Sequence, residues 1–187
     1  MKLQYNSPVI LSFAISSFFA LILGFITENT TTYLLFSVYK SSLADPLAYL
    51  RIFLHVLGHS SYSHYIGNML VLLVIGPALE EKYGSNNIFW SIVFTAFITG
   101  IFQMLFFNDA LLGASGVVFM MIVLASYSGI RQGHIPLTLI LVVLLYLGEE
   151  IADIFAADNI SQFAHILGGL CGIIVGIRYN RSAVKKM

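Results

Sequence analysis

Six stretches of about 20 mostly apolar residues recur along this chain, at roughly 8–27, 61–79, 87–107, 113–130, 135–152 and 160–178. A helix of that length crosses the hydrocarbon layer of a bilayer. The expected fold is therefore all-α: a polytopic bundle of six transmembrane helices in one domain, residues 1–187. Composition agrees, with 58% hydrophobic and only 10% charged residues, against roughly 25% charged in soluble domains. The first run follows Lys2 as the apolar part of a signal peptide would. It is longer than such a segment, and no A-x-A-like site follows it, so it reads as a retained span.

The segment 28–60 breaks the pattern. It is too polar to span and too apolar for a free loop ("TYLLFSVY", "PLAYLRIFLHVLGH"). A long ordered connection of this kind is usually functional; here it is expected to be amphipathic, partly helical, and to lie at one membrane face after the first span. With six spans both termini share a side. That side holds Lys2, Lys82, Arg131, Arg178, Arg181, Lys185 and Lys186, and the other only Lys40 and Arg51. Seven against two places both termini in the cytoplasm. The net charge is zero, so no bulk field draws nucleic acid; the partner the composition implies is the lipid bilayer. Cys171, the single cysteine, reads as a small core residue.

Polar groups at membrane depth are expensive, so each is a functional candidate. Ser115 stands in "DALLGASGVVFMM" at the front of an apolar run, flanked by Gly113, Ala114 and Gly116. A lone serine in such a helix ordinarily bonds back to a carbonyl or packs. Small neighbours change that, because they let another backbone or a substrate approach the hydroxyl. His165 stands in "QFAHILGGLCGIIVG", beside a ridge of Ala164, Gly168, Gly172 and Gly176 at every fourth residue. Such a ridge allows close helix contact, which puts the imidazole against another helix; if that helix starts at Gly113, a Ser–His pair follows. In "HVLGHSSYSHYIGN", His64 and Asn68 share a helical face, and both can donate hydrogen bonds to a developing oxyanion. His55 and His59 are also four apart, the spacing of a metal pair. Zinc sites want three or four ligands, and no H-E-x-x-H is present, so no metal or other cofactor is expected and these two histidines are read as hydrogen-bonding within the interfacial segment. In "PALEEKYGS", Glu80, Glu81 and Lys82 read as a solvated helix end stopped by Gly84, with one carboxylate holding the turn.

Serine motif, later histidine and earlier H-x-x-x-N, in that order on three runs, resemble the rhomboid family of intramembrane serine proteases. The resemblance covers about residues 47–180 and the minimal six-span bacterial core type. It implies a Ser115–His165 dyad with no third carboxylate, and an oxyanion site of His64, Asn68 and the Ser115 backbone amide. Glu80 matches the acidic position of the family's E-x-R-x-G stretch, with Lys82 standing for the arginine. Arg51 matches the arginine of a Trp-Arg pair in the first loop, with Leu50 at the tryptophan position. Phe119 stands where many members carry tyrosine and can still pack on the His165 ring. The implied substrates are transmembrane segments of other membrane proteins, cut near the outer face of what would be a bacterial plasma membrane. The rival readings are a rhomboid-like binder of transmembrane helices that does not cut, and a histidine-rich metal-binding membrane protein.

The residues also suggest how water reaches the reaction. His59, Ser60, Ser61, Ser63, His64 and Asn68 are expected to line a wet cavity open to the outer side. His165 must be neutral to act as a base, so activity should fall in acid. Gly148, Glu149 and Glu150 at the outer end of the fifth span mark it as the element expected to move to admit substrate.

Overall fold

A computed structural model of the protein describes residues 5–127, 137, 140, 141, 144 and 159–184. The described elements are α1 (Pro8–Ile26), α2 (Thr30–Leu35), α3 (Pro46–Leu54) running into a 3₁₀ turn (His55–Leu57), α4 (Tyr62–Tyr83), α5 (Ser85–Phe106), α6 (Ser115–Tyr127) and α7 (Asn159–Val184). Among the described residues the only strand-like pairing is one antiparallel bridge between Val38 and Leu111.

Among the described residues, four helical stretches are long and apolar enough to cross a membrane: Pro8–Ile26, Tyr62–Tyr83, Ser85–Phe106 and Gln162–Tyr179. They correspond to the first, second, third and sixth apolar runs. The fourth run is a shorter apolar helix of 13 residues, α6. It begins at Ser115 rather than 113, because Gly113 adopts φ 129°, a backbone conformation only glycine takes readily. The fifth run, 135–152, and the gating role expected of it lie outside the described residues except at 137, 140, 141 and 144.

The distribution of side chains is that of a body immersed in lipid. Phe19, Ile26, Leu70, Val74, Trp90 and Ile174 face outward, each more than half exposed, whereas Ser17, Thr95, Thr99 and Gln103 are buried. Lipid tails are as apolar as leucine, so helices associate through close packing and internal hydrogen bonds instead. The core runs through Ile10, Leu72, Ile88, Val117, Met120, Met121 and Leu124, and α6 makes its most extensive contact with α7.

Glu80 corrects the reading of a solvated helix end. It is 4% exposed. The amides of Val9 and Ile10 donate to its two carboxylate oxygens, each at 3.0 Å. These are among the amides that a helix start leaves without intrahelical partners. Pro8 has none to offer, and the Ser7 side chain makes no capping bond. A carboxylate from α4 thus caps α1, where the helix dipole also favours negative charge. Nearby, Ile10 fills the space that a side chain at Gly76 would need, which locks the two helices in register. Gly84 does stop α4: with φ 85° it turns the chain directly into α5.

The segment after α1 is partly helical, as expected. Asp45 caps α3 by accepting from the Leu47 amide at 2.9 Å and forms an ion pair with Arg51. Arg51 is 2% exposed. It also donates to the Leu34 carbonyl and the Ser41 hydroxyl, and its guanidinium lies 4.5 Å from the Tyr39 ring centre. The guanidinium holds the Asp45 carboxyl below the usual carboxylate range, with the Leu47 amide adding to the effect. Ala48, Arg51 and Ile52 face inward while Tyr49, Leu50 and Phe53 face outward, so α3 has the two-sidedness of an interfacial helix.

Candidate active site

Ser115 is the first residue of α6. Its amide therefore has no acceptor within the helix, and the helix dipole favours negative charge beside it. The connection leading to it is fastened from three sides. Gln103 Nε2 donates to the Asp109 carbonyl at 2.8 Å. Val38 and Leu111 exchange amide–carbonyl bonds of 2.9 and 2.8 Å, and the Gly113 amide donates to the His55 carbonyl at 3.0 Å. The interfacial segment thus sets the position of the turn that presents Ser115.

Gly113 leaves room for the α4 side chains. A β-carbon at 113 would stand 2.8 Å from His64 Cε1, 2.9 Å from His64 Nε2 and 3.9 Å from Asn68 Nδ2. His64 is oriented by its other ring nitrogen, Nδ1, which lies 3.2 Å from the Ser60 hydroxyl; if that hydroxyl donates, the Nε2 facing Gly113 carries the proton. Asn68 uses one amide hydrogen on the His64 carbonyl at 3.2 Å, and its carboxamide has a second to give. Ser61 caps α4 by accepting from the His64 amide at 3.1 Å.

On the opposite flank α6 meets α7 backbone to backbone. A β-carbon at Gly168 would lie 2.2 Å from the Gly116 carbonyl oxygen, one at Gly172 would lie 2.6 Å from the Met120 carbonyl oxygen, and one at Gly116 would touch the Ala164 carbonyl oxygen at 3.3 Å. One turn beyond Ser115, the Phe119 ring lies flat on His165, with centroids 4.2 Å apart and planes within 5°. The structure therefore gathers His64 and Asn68 from α4, the start of α6, and His165 from α7 into one corner. Asn68 is buried, whereas Ser115, His64 and His165 are half-buried.

His55 and His59 do not join this group. His55 Nδ1 donates to the carbonyls of Ile52 and Arg51 at 3.0 and 3.2 Å, and Nε2 meets the Thr99 hydroxyl at 3.2 Å. Its bonds thus lie partly within the interfacial segment and partly on α5. His59 is 1% exposed, so it does not line the expected wet cavity. Its Nδ1 donates to the Leu57 carbonyl at 3.1 Å, its ring meets His64 and Tyr65 edge-on, and its Nε2 has no hydrogen-bond partner among the described residues. Among those residues no three His, Cys, Asp or Glu side chains gather as metal ligands would. Burial pushes both imidazoles down to about 4 from 6.5, and the neighbouring His64 contributes at His59. Both groups are then neutral when folded and bind protons more readily when unfolded. Their share of stability is complete above pH 6.5, drains as pH falls from 6.5 to 4, and stays constant below. The thermal midpoint of the purified protein should fall across that window, and His59→Phe should remove about half of the fall. An unchanged slope in that variant would show that His59 is not one of the titrating groups.

Sequence reasoning missed the polar line on α5. Ser91, Thr95, Thr99 and Gln103 recur at every fourth residue and are all buried; Thr99 reaches His55, and Gln103 holds the loop before Ser115. The spacing was a visible signal. It is masked because hydroxyls in apolar helices commonly bond the carbonyl four residues back, as Ser91, Thr95 and Thr99 also do here.

These helices and their inward polar groups define an integral, polytopic helical membrane protein. The match with known proteins is more specific. A family model described as Rhomboid domain matches residues 46–182, and the chain belongs to the rhomboid family. It is 31% identical to the rhomboid protease GluP of Bacillus subtilis, over 83% of this chain and 31% of that one. It is 30% identical to the rhomboid protease GlpG of Serratia proteamaculans, over 65% of this chain and 45% of that one. For the GlpG of an Enterobacter strain the identity is 29%, over 73% and 50%. The chain thus spans about a third to a half of the length of these curated relatives.

Proposed function

We propose that this protein is an intramembrane serine endopeptidase that cuts transmembrane segments of other membrane proteins near the outer face of a bacterial plasma membrane. The chain acts as one domain with six spans and both termini in the cytoplasm. Ser115 is the nucleophile and His165 its general base. His165 takes the hydroxyl proton as Ser115 attacks the scissile carbonyl, and passes it to the leaving amine; water then releases the acyl-enzyme. His64 Nε2, the second amide hydrogen of Asn68 and the Ser115 amide receive the oxyanion. Losing one such donor costs about 10²–10³ in rate. Water reaches the site past Ser60, Ser61 and Ser63. Because a helical substrate hides its amides in internal bonds, cleavage favours segments that unwind locally at Gly, Ser or Pro.

One observation carries this reading. The residues on either side of Ser115 touch the two proposed partner groups: Gly113 abuts His64 and Asn68, and Phe119 stacks on His165. Relatives named rhomboid proteases support it. A fluorophosphonate probe should label Ser115 in detergent-solubilised protein, and the label should vanish in His165→Ala. Labelling at another residue, or undiminished labelling of Ser115 without the imidazole, would remove the basis for the dyad.

A further inference from the structure

The corner where α4 hands over to α5 and α7 comes to its end carries a cavity of about 560 Å³. It lies between α5 and α7, and beside it the Tyr83 ring at the end of α4 meets Tyr179 at a tilt of 36°, with centroids 5.1 Å apart. Asn86, Asn87 and Arg178 line its polar part, and Trp90, Phe94 and Ile174 its apolar part. Its floor is built: the hydroxyls of Ser91 and Tyr179 stand 2.7 Å apart, and both reach the Asn87 carbonyl oxygen at 2.7 Å. Trp90 and Ile174 are 58% and 54% exposed, so the apolar side opens toward lipid rather than toward another helix of the described bundle.

Along the two helices that line the cavity the charge has one sign. Neither 85–106 nor 159–184 contains an aspartate or glutamate, and Arg178 stands at the cavity's mouth. The cavity sits at the start of α5, a 22-residue helix that follows the Gly84 turn without a side-chain cap, so its field is also positive there. A cationic and amide-rich mouth grading over 90–94 and 174 into an aromatic and aliphatic wall matches a phosphodiester followed by a hydrocarbon chain. Basic pockets between membrane helices take lipid head groups on the same grounds, and a tryptophan at that depth is characteristic of the membrane boundary.

We propose that this cavity is a binding site for one anionic glycerophospholipid of the phosphatidylglycerol type. Arg178 and Asn86 receive its phosphodiester, and its upper acyl chain lies along Trp90, Phe94 and Ile174. The proposal rests on the membrane reading of the chain and not on the Ser115 chemistry. It couples the junction of α5 and α7 to the charge of the surrounding leaflet.

Trp90 is the only tryptophan, so its fluorescence reports the site directly. The full chain is reconstituted in phosphatidylcholine vesicles doped with either brominated phosphatidylglycerol or brominated phosphatidylcholine, and quenching is followed against mole fraction. Brominated phosphatidylglycerol should quench at about fivefold lower mole fraction, the discrimination expected from one basic contact. Arg178→Gln should bring the two lipids to parity. Asn86→Asp, an exposed change that suits the start of a helix, should do so without threatening the fold. Lys40→Gln, in the interfacial segment, should leave the preference intact. Equal quenching by both lipids in the unaltered protein, or an equal loss in Lys40→Gln, would overturn the proposal. So would recovery of fluorescence on adding inorganic phosphate but not chloride of the same ionic strength, since that would mark a free-anion site. Peptidase activity of the Arg178 variant is read separately, so failure of the lipid site leaves the Ser115 reading standing.

Discussion

Replacing Ser115 with alanine should reduce cleavage of a reconstituted transmembrane reporter by roughly five to six orders of magnitude, the scale on which a nucleophile and its base act as a unit. His165→Ala should cost about as much, and the double variant no more than either single one. That non-additivity is the sharper test, because two independent contributions would multiply. Ser115 is half-buried at the first position of α6, so the thermal midpoint of Ser115→Ala should stay within a degree or two of the parent. Full activity in either single variant, or a double loss equal to the product of the two, would refute the dyad.

Gly168→Ala should be nearly as damaging by a different route. The added carbon would stand 2.2 Å from the Gly116 carbonyl oxygen and 3.0 Å from Gly116 Cα. Backbone cannot rotate away as a side chain can, so α6 and α7 must separate. Overpacking of this kind costs about 1–3 kcal/mol, and a displacement on the ångström scale at a reacting pair costs about 10² in rate. Gly169→Ala is the control beside it. Its added carbon would meet only Val123 Cγ2 at an ordinary 3.7 Å, and both midpoint and rate should stay close to the parent's. Midpoints and rates for the pair, measured in the same detergent, check the prediction; equal behaviour of the two variants would show that helix approach at Gly168 is not what holds the site together.

The four side chains the sequence marked out, Ser115, His165, His64 and Asn68, were legible because a hydroxyl, two imidazoles and a carboxamide in apolar surroundings need a reason. The close ridge of Gly168 and Gly172 was legible from spacing alone. What escaped has a common cause: it depends on partners far off in sequence. Glu80 read as a solvated end because its partners are amides 70 and 71 residues earlier. His59 read as a cavity wall because it stands in a run with Ser60, Ser61 and Ser63, whereas its own ring is enclosed by His64 and Tyr65. The two-residue delay in the start of α6 came from one backbone angle at Gly113, invisible to an apolar-run criterion. The fastening of the Ser115 turn through Val38 and His55 likewise joins segments that no periodicity connects.

The carboxylate of Glu80 has a bearing on how the chain matures. A ribosome delivers α1 first, yet the group that satisfies its opening amides emerges only when the second long helix is almost complete. Until then water at the membrane boundary is the partner open to those amides. Glu80 joins the start of α1 to the end of α4, four residues before Gly84 turns the chain into α5.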